Sequence, residues 1–504
     1  MRALLSVFDK TGVVDFARRL RELGIELVSS GGTAAAIADA GIPVTDVAEF
    51  TGYPAMLGHR VVTLHPLVHG AILADRDDPA HRADIEKYGI QPIDIVVSNL
   101  YPFSSDPSID LIDIGGPTLV RAAAKNHAHV GVVVDPADYD EVLGELAMRG
   151  RLSSAFRRRL ARKAFARIAE YDAAIVSWFD EAEGGGGDAV EAELPATIHL
   201  SATRAQSLRY GENPHQIGAR YTFGNSVWDD AVQHGGKDLS YLNVYDADAA
   251  WRLVWSLGDD PTAVVIKHAN PCGVAVADDI TTAYQRAHEC DSVSAYGGIV
   301  AVNRTVPLAL AEALVPVFTE VIIAPDFDED ALGLLLEKKK NLRVLTARRP
   351  TLPPYDVRTI EGGLLVQTPD VVSLERGDWT VATERQPTEA EWRDLELAWR
   401  VAARVTSNTI VLVKDGQAVG IGAGQQNRRD AGRIATEKAD GRAKGGACAS
   451  DAFFPFRDGL DAAAEAGATA VIQPGGSIRD DEVIQAANEA GLAMVFTGER
   501  HFKH

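Results

Sequence analysis

The chain has 504 residues, of which 46% are hydrophobic and 24% are charged, a length and composition typical of a globular protein with two or more domains. Acidic residues outnumber basic residues by 71 to 50, giving a net charge of −21, which disfavours general binding of nucleic acid because phosphate backbones are repelled. No apolar run reaches the ~20 residues of a membrane-spanning helix, so no membrane insertion is expected.

Strands and helices are predicted to alternate through the first part of the chain. Apolar runs predict strands over residues 2–7, 25–29, 93–98 and 130–134. Helical periodicity and stop signals predict helices over residues 13–23, 34–40, 118–125 and 153–179. Alternation of this kind predicts an α/β domain built on a parallel sheet.

Two glycine pairs stand at predicted strand-to-helix junctions, where backbone N–H groups and a helix N-terminus favour an anion. A short Gly-Gly turn is more often structural, but the repetition predicts a phosphate site in this domain. The first junction comprises Ser30, Gly31, Gly32 and Thr33, and the second comprises Gly115 and Gly116 after Asp113. Further donors after the first strand are Ser6, Lys10 and Thr11.

The best candidate for a linker is the segment 181–195, which contains Gly184–Gly187 and several acidic residues. We therefore expect a domain over residues 1–183, a linker over 184–197 and a second α/β domain over 198–504. Two similar stretches indicate an internal repeat in the second domain. Their predicted strands are 263–266, 299–302 and 321–324 in the first, and 409–413, 470–473 and 493–496 in the second.

The most informative segment is the predicted buried strand Ala263–Ile266, which is followed at once by Lys267 and His268. Asn270-Pro271 is predicted to turn the chain away. Ligands of open α/β sheets sit at the carboxyl ends of strands, so a cation and an imidazole at this position favour acid/base work on a bound anion. A surface turn with incidental polar residues explains this segment alone equally well.

The cysteines and the start of the chain indicate the compartment. Cys272, Cys290 and Cys448 have no CxxC spacing, which argues against a disulfide framework or a cysteine zinc site and is typical of a reducing environment. The start, with a short apolar run followed at once by Asp9, lacks the pattern of a signal peptide. We therefore expect a cytoplasmic protein.

An ordered set of motifs covers the whole chain. The first half contains Ser6–Gly12, Ser29–Thr33, Thr63–Pro66, Asn99–Phe103, Ile112–Gly116 and Ala124–His127. The second half contains Arg209–Gln216, Ala263–Gly273, Ser450–Asp458, Gln473–Asp480 and Arg500–His504. Together they resemble the AICAR transformylase/IMP cyclohydrolase family, which carries out the last two steps of IMP synthesis.

The resemblance implies a methylglyoxal-synthase-like domain with a parallel sheet, followed by an α/β domain of two deaminase-like subdomains without zinc. The sequence is consistent with the lack of zinc, because it has no HxE…PCxxC arrangement of zinc ligands. The implied chemistry is formyl transfer from 10-formyltetrahydrofolate to AICAR, giving FAICAR, and dehydrative closure of FAICAR to IMP. The resemblance also implies a homodimer and no catalytic metal, and it allows a structural monovalent cation.

By resemblance, ring closure is catalysed by Lys125, Tyr101 and Asp113, and formyl transfer by Lys267, His268 and Asn408. Without the resemblance, a half-buried aromatic tip would be the favoured explanation of Tyr101, and a helix cap that of Asp113. The substrate-binding positions implied in the first domain are Ser6, Lys10, Thr11, Ser30, Gly31, Gly32, Thr33, Arg60, Thr63, Asn99, Gly115 and Gly116. Those implied in the second domain are Arg209, Tyr210, Asn243, Gly297, Arg428, Phe453, Asp458, Arg500 and Phe502.

Two positions depart from the family pattern. Val62 stands where the pattern has a lysine, and Phe8 stands where many members have serine. The alternative function is therefore a transformylase with a weakened cyclohydrolase site, unless His59, Arg60 or Lys125 compensates. A nucleotide or folate sensor is a further alternative, but the intact Lys267-His268 pair argues against it. A zinc deaminase is disfavoured by the missing ligand motif.

Overall fold

The computed structural model describes residues 1–58, 60–184, 194–372, 374 and 376–504. Contacts divide the chain into two compact units, Met1–Ser201 and Ala202–His504. Much of the predicted linker, residues 185–193, lies outside the described part, and the last helix of the first unit continues to Gly184. None of the described helices is both long and apolar enough to span a bilayer.

The first unit contains the predicted parallel sheet, with strand order β3-β2-β1-β4-β5 and parallel pairing throughout. Its strands are β1 (Arg2–Leu5), β2 (Glu26–Ser29), β3 (Thr45–Asp46), β4 (Ile95–Val97) and β5 (Gly131–Val133). Its helices are α1 (Val13–Glu22), α2 (Gly31–Asp39), α3 (Val47–Thr51), α4 (Pro66–Leu73), α5 (Pro79–Tyr88), α6 (Gly115–Lys125), α7 (Tyr139–Arg149) and α8 (Ser154–Gly184).

The helix starts differ from prediction at both glycine pairs. Helices were expected from Ala34 and Thr118, but α2 begins at Gly31 and α6 at Gly115. The glycines therefore form the first turn of each helix rather than a separate loop. As a result, their N–H groups are among those that a helix leaves without an internal partner.

The second unit carries a mixed sheet of 12 strands. The strands of this unit are β6 (Thr203–Leu208), β7 (Gly218–Thr222), β8 (Val232–Gly235), β9 (Thr262–Lys267), β10 (Asn270–Val276), β11 (Gly298–Val302), β12 (Thr319–Ala324), β13 (Arg343–Thr346), β14 (Asp356–Ile360), β15 (Gly363–Gln367), β16 (Thr380–Val381), β17 (Ile410–Lys414), β18 (Gln417–Gly422), β19 (Ala447–Ser450), β20 (Ala470–Gln473) and β21 (Ala493–Phe496). The helices are α9 (Val227–Asp230), α10 (Tyr241–Ser256), α11 (Ile280–Cys290), α12 (Leu308–Leu314), α13 (Glu329–Lys338), α14 (Glu389–Ala402), α15 (Arg428–Ala439), α16 (Arg457–Glu465) and α17 (Asp480–Glu489).

The strand order confirms an internal repeat but corrects its strands: β9, β11 and β12 are equivalent to β17, β19 and β20, whereas the second stretch was predicted as 409–413, 470–473 and 493–496. The sheet reads β16-β21-β20-β19-β17-β18-β10-β9-β11-β12-β13-β8, so equivalent strands lie at equal distances from the central β18–β10 pair. In each half a helix leads into a β-hairpin, and three helix–strand pairs follow. The hairpin and the strand beside it pair antiparallel, and the next two strands add in parallel.

The two faces of this sheet are covered differently. Alternate residues of each strand point to opposite faces, so Val264 joins one core and Val265 another. On one face α10 and α14 share a core that includes the fully buried Trp251 and Trp399. On the other face, α11–α13 cover the first repeat and α15–α17 the second, over separate cores.

Candidate active sites

Loops after β1, β2 and β4 meet at one edge of the first unit, because the carboxyl ends of parallel strands lie together. Ser6 follows β1, and its N–H donates to the Val97 carbonyl at 2.8 Å. Ser30 is the N-cap residue of α2, and its side chain makes no capping hydrogen bond. A β-carbon on Gly32 would lie 3.6 Å from the Lys10 ammonium. An exposed cation beside this helix N-terminus favours an anion.

Three of the predicted binding side chains mainly hold these loops together. The Asn99 side-chain oxygen accepts from the N–H groups of Phe8 at 2.7 Å and Asp9 at 3.0 Å. The Thr11 hydroxyl donates to Asp9 at 2.7 Å. The Thr33 hydroxyl is buried and donates to the Val7 carbonyl at 2.9 Å. Their hydrogen bonds shape the edge, and Lys10 offers an exposed cation there.

Asp113 both caps α6 and has the environment of an acid/base group. Its carboxylate accepts from the Gly116 N–H at 2.8 Å. A β-carbon on Gly116 would collide with this carboxylate, and one on Gly115 would lie 3.2 Å from the Thr63 hydroxyl. Burial raises the pKa of Asp113, although backbone hydrogen bonds oppose the shift. The sequence analysis missed Tyr171, whose hydroxyl accepts from the Asp113 N–H at 2.7 Å.

The departures from the family pattern lie at the same edge. Phe8 and Tyr101 are 46% and 40% exposed, and their rings meet edge to face with centroids 5.3 Å apart. Val62 is half-buried and packs against the core of the unit. Arg60 pairs with the exposed Asp110 at 2.8 Å. His59, the other predicted substitute for the lysine, lies outside the described residues.

Lys125 is not gathered with these groups. It is the last residue of α6, whose first turn carries the Asp113 cap. Lys125 lies ten positions after Gly115 in this helix, which corresponds to about 15 Å along the axis. The helix leads from the carboxyl edge of β4 back to the start of β5. Within one chain, Lys125 therefore lies towards the other edge of the sheet.

In the second unit, Lys267 and His268 lie at a hairpin turn, and this corrects the predicted geometry. Asn270 and Pro271 do not turn the chain but begin β10, where Asn270 pairs with Lys267. The turn consists of His268 and Ala269, with φ of 53° and 56°. Positive φ at both central residues is typical of a type I′ turn, which matches the twist of a hairpin. The strand end is also antiparallel to both neighbours rather than part of a parallel sheet.

The groups around this turn are tied together by hydrogen bonds. The Lys267 ammonium donates to the carbonyls of Tyr296 at 3.0 Å and Gly297 at 3.1 Å. The Ala269 N–H donates to Asp246 at 2.9 Å, and the Ala269 carbonyl accepts from Lys503 at 3.2 Å. The His268 side chain is left exposed at the tip. Asp246 and Lys503 were missed by the sequence analysis.

Asn408 follows Ser407, whose N–H donates to the Lys503 carbonyl at 2.8 Å, and its side chain is oriented by a buried ion pair. Its side-chain oxygen accepts from Arg428 at 2.7 Å, and its amide donates to the Gln425 carbonyl at 3.0 Å. Arg428 also donates to Ser450 at 3.0 Å and pairs with Asp451. The side chains of Arg428 and Asp451 are 9% and 0% exposed. The geometry assigns Arg428 to holding Asn408.

The remaining predicted residues are more dispersed. Arg209 stacks on the Tyr210 ring at 4.8 Å, and Arg500 lies 4.3 Å from the Phe502 ring centroid. Asn243 is buried and forms the capping box of α10 with Ser240. Phe453 is 38% exposed, and Asp458 lies in the first turn of α16. Among the described residues, no hydrogen bond joins Arg209 or Tyr210 to the His268 turn.

The two units thus define a class of α/β protein with an anion-favouring sheet edge in one unit and an exposed imidazole on a tethered hairpin turn in the other. The model of the "AICARFT/IMPCHase bienzyme" family matches residues 123–438, and that of the "MGS-like domain" matches residues 12–128. The latter match confirms the methylglyoxal-synthase-like expectation for the first unit.

Relatives named "Bifunctional purine biosynthesis protein PurH" match along their length. Those of Cereibacter sphaeroides, Mesorhizobium japonicum and Brucella ovis are 51%, 52% and 53% identical over 100% of this chain. The chain covers 98%, 97% and 97% of these relatives, respectively. The crystal structure of ForH is 37% identical over 36% of this chain and 98% of that one, but with a TM-score of 0.33 it supports no structural argument.

The chain belongs to the AICARFT/IMPCHase bienzyme family. It is a bifunctional enzyme of purine biosynthesis with AICAR formyltransferase and IMP cyclohydrolase activities.

Proposed function

We propose that His268 is the proton-transferring group of formyl transfer from 10-formyltetrahydrofolate to AICAR. The observation that carries this proposal is the exposed imidazole at the tip of a hairpin turn whose backbone is held on both sides. Imidazole is the side chain best suited to accept and return a proton near neutral pH. Membership of the family indicates the substrates, and the geometry of the turn favours His268 as the group that transfers the proton.

The proposed step begins when the 5-amino nitrogen of AICAR attacks the formyl carbon, forming a C–N bond and a tetrahedral oxyanion. His268 accepts the proton that this nitrogen loses. The bond from the formyl carbon to the folate nitrogen then breaks, and the proton passes to that nitrogen as it leaves. The products are FAICAR and tetrahydrofolate, so atoms and charge balance without a metal.

Lys267 and Asn408 have supporting roles in this proposal. The Lys267 ammonium is fixed by the two carbonyls of the Tyr296-Gly297 loop, which places a positive charge beside the reacting groups. The Asn408 amide, oriented by Arg428, supplies a fixed dipole. Preorganised charges and dipoles of this kind stabilise a developing oxyanion. Arg209 and Arg500 suit the nucleotide phosphate through their guanidinium forks.

For ring closure we propose Asp113 and Tyr101 as the reacting side chains. The hydrogen bond at the α6 N-terminus holds the buried Asp113 carboxyl, which takes a proton from the attacking carboxamide nitrogen in this proposal. Tyr101 donates a hydrogen bond to the formyl oxygen. The phosphate would lie at the α2 N-terminus beside Lys10. Holding the two ends of FAICAR together supplies much of the rate of such an intramolecular reaction. Because of its distance along α6, Lys125 has no role in this proposal.

The remaining proposals follow from the resemblance. We infer that the protein is a cytoplasmic homodimer, that 10-formyltetrahydrofolate is the cosubstrate, and that the cyclohydrolase domain ends at residue 183, before a linker over 184–197. The packed tail supports an ordered site at the end of the chain, since His501 is buried and bonds to Asp370 at 2.7 Å.

The test supplies AICAR and 10-formyltetrahydrofolate and separates FAICAR from IMP by chromatography. Full activity of both sites gives IMP with little FAICAR. Accumulation of FAICAR would favour the weakened cyclohydrolase that Val62 suggests. Formation of neither product would contradict the proposed formyl transfer to AICAR.

A further inference from the structure

The two halves of the large sheet carry the same hairpin turn. Lys267–Asn270 joins β9 to β10, and Lys414–Gln417 joins β17 to β18, with the first and last residue of each segment paired. Both turns have positive φ at their central residues: 53° and 56° in the first, 50° and 75° in the second. The second turn uses Asp415-Gly416, which such a turn favours. The first turn uses His268-Ala269, a pair that this type of turn does not favour.

An aspartate at the same helix position binds both turns. Asp394 is the sixth residue of α14, and its two oxygens accept from the N–H groups of Asp415 at 2.9 Å and Gly416 at 2.8 Å. Asp246 is the sixth residue of α10, and it accepts from the Ala269 N–H at 2.9 Å. The repeat therefore preserves an aspartate clamp on the turn N–H groups, with or without a histidine in the turn.

The carbonyl side of the turn is held differently in the two halves. The Gly416 carbonyl accepts at 2.9 Å from the N–H of Val276, the last residue of strand β10. The Ala269 carbonyl accepts from the Lys503 ammonium at 3.2 Å, which also donates to the Arg404 carbonyl at 3.0 Å. The Lys503 carbonyl in turn accepts from the Ser407 N–H at 2.8 Å. A lysine from the end of the chain thus takes the place of a strand N–H.

We propose that Asp246 and Lys503 are positioning residues that hold the His268–Ala269 turn in its left-handed conformation and so present the imidazole for formyl transfer. The inference rests on the proposed role of His268. Residues with a β-carbon adopt positive φ reluctantly, so this turn needs outside support more than an Asp-Gly turn does. Without it, the imidazole would shift as the turn relaxes.

The principal variant is Asp246→Ala, assayed for formyl transfer in the full-length protein. A displacement of about 1 Å in a catalytic group can cost about 10²-fold, so kcat should fall on that scale with a smaller change in the KM for AICAR. Asp246→Asn retains a side-chain oxygen acceptor and should restore most of kcat. Cyclisation of supplied FAICAR should be unchanged in both variants.

The repeat provides a matched control for the aspartate. Asp394→Ala removes the same clamp from the other half, so it should lower the melting temperature comparably while leaving the kcat of formyl transfer near wild type. For the lysine, Lys503→Met should lower kcat. Its control is Lys339→Met, because Lys339 also donates to two carbonyls of the same unit, those of Val315 and Val317.

The outcomes separate this inference from the proposed function. If His268→Ala transfers formyl groups normally, the proposed function fails first. If His268→Ala is impaired but folded Asp246→Ala and Lys503→Met have wild-type kcat, the positioning role is overturned. A loss in Asp394→Ala equal to that in Asp246→Ala would overturn it too, because general damage to the sheet would then explain both. If Asp246→Ala does not fold, the double variant Asp246→Ala/Ala269→Gly relieves the strain of the left-handed turn. A folded double variant with a kcat near that of His268→Ala would support the positioning role of Asp246. A wild-type kcat in the double variant would overturn it.

Discussion

Arg428 donates a hydrogen bond to the Asn408 side chain at 2.7 Å while its guanidinium pairs with the buried Asp451. One buried cation therefore orients a predicted catalytic amide and neutralises a carboxylate that is 0% exposed. The site and the core of the second repeat are joined at this residue, so stability and catalysis should respond together when it changes.

Replacing Arg428 should be strongly destabilising. Arg428→Met leaves the Asp451 charge buried without its partner, which typically costs about 3–5 kcal/mol. Denaturant unfolding followed by tryptophan fluorescence can measure this, because every tryptophan except Trp178 lies in the second unit. Arg428→Met/Asp451→Asn should recover part of the loss. A cost below about 1 kcal/mol, the range of exposed ion pairs, would contradict the interpretation.

His268→Ala should abolish most formyl transfer. Loss of a proton-transferring side chain typically lowers turnover about 10²–10⁴-fold, and cyclisation of FAICAR should persist because it belongs to the other unit. His234→Ala is the control, since His234 is an exposed histidine of the same unit that bonds to Thr346. Near-normal formyl transfer in His268→Ala would show that another group moves the proton.

Val62→Lys should raise cyclisation or tighten IMP binding. Val62 packs at the core margin, and a lysine there could extend its ammonium to the edge that holds Asp113 and Tyr101. A single oxyanion donor is worth about 2.7–4 kcal/mol in a preorganised site, which sets the upper limit of the gain. The measurement is turnover at saturating FAICAR, with Val44→Lys as the control at another half-buried valine of that unit. No gain in a folded variant would mean that Lys10 or another cation already suffices.

Glu391 should make the free energy of unfolding of the second unit depend on pH. Its burial would raise its pKa, but hydrogen bonds from Arg385, Thr388 and Thr469 prevail and lower the pKa from 4.5 to about 2. The carboxylate therefore stabilises the fold above pH 4.5, and this contribution is lost as the pH falls towards 2. The shift corresponds to roughly 3 kcal/mol.

Glu391→Gln tests this dependence in unfolding experiments between pH 7 and pH 3. The variant should be less stable at pH 7, and its difference from wild type should shrink as the pH falls. Glu389→Gln is the control, because Glu389 is an exposed residue of the same helix, paired with Arg376. A difference that stays constant with pH would show that the carboxylate titrates normally.

Much of the fold could be predicted from the sequence, because its signals are local. The strands of the parallel sheet are continuous apolar runs such as Ala3–Leu5, buried on both faces as parallel strands usually are. The core face of α1, which includes Val13, Phe16, Ala17 and Leu20, has helical spacing. The internal repeat was also visible in the strand pattern, although β19 was missed in its second half.

The turn at His268 could not be predicted in the same way. Asn270-Pro271 is a strong local turn signal, whereas His268-Ala269 is not one. The actual turn is held by Asp246 and Lys503, which are 23 and 234 residues away from Ala269. Aligning Lys267–Asn270 with Lys414–Gln417 would have revealed it, because the second segment has the favoured Asp-Gly. Similarly, motif order alone could not show that α6 carries Lys125 away from Asp113.

The core under α10 and α14 has a consequence for how the second unit folds. It runs unbroken across the β10–β18 seam and contains residues of both repeats, although Ala275↔Gln417 is the one register pair found between those two strands in the described chain. Cutting the chain between the repeats would divide this core and expose to water the apolar surfaces that the two halves bury against each other at the seam. The duplicated halves therefore form a single cooperative unit, and neither is expected to persist as an independent module despite its complete set of strands and helices.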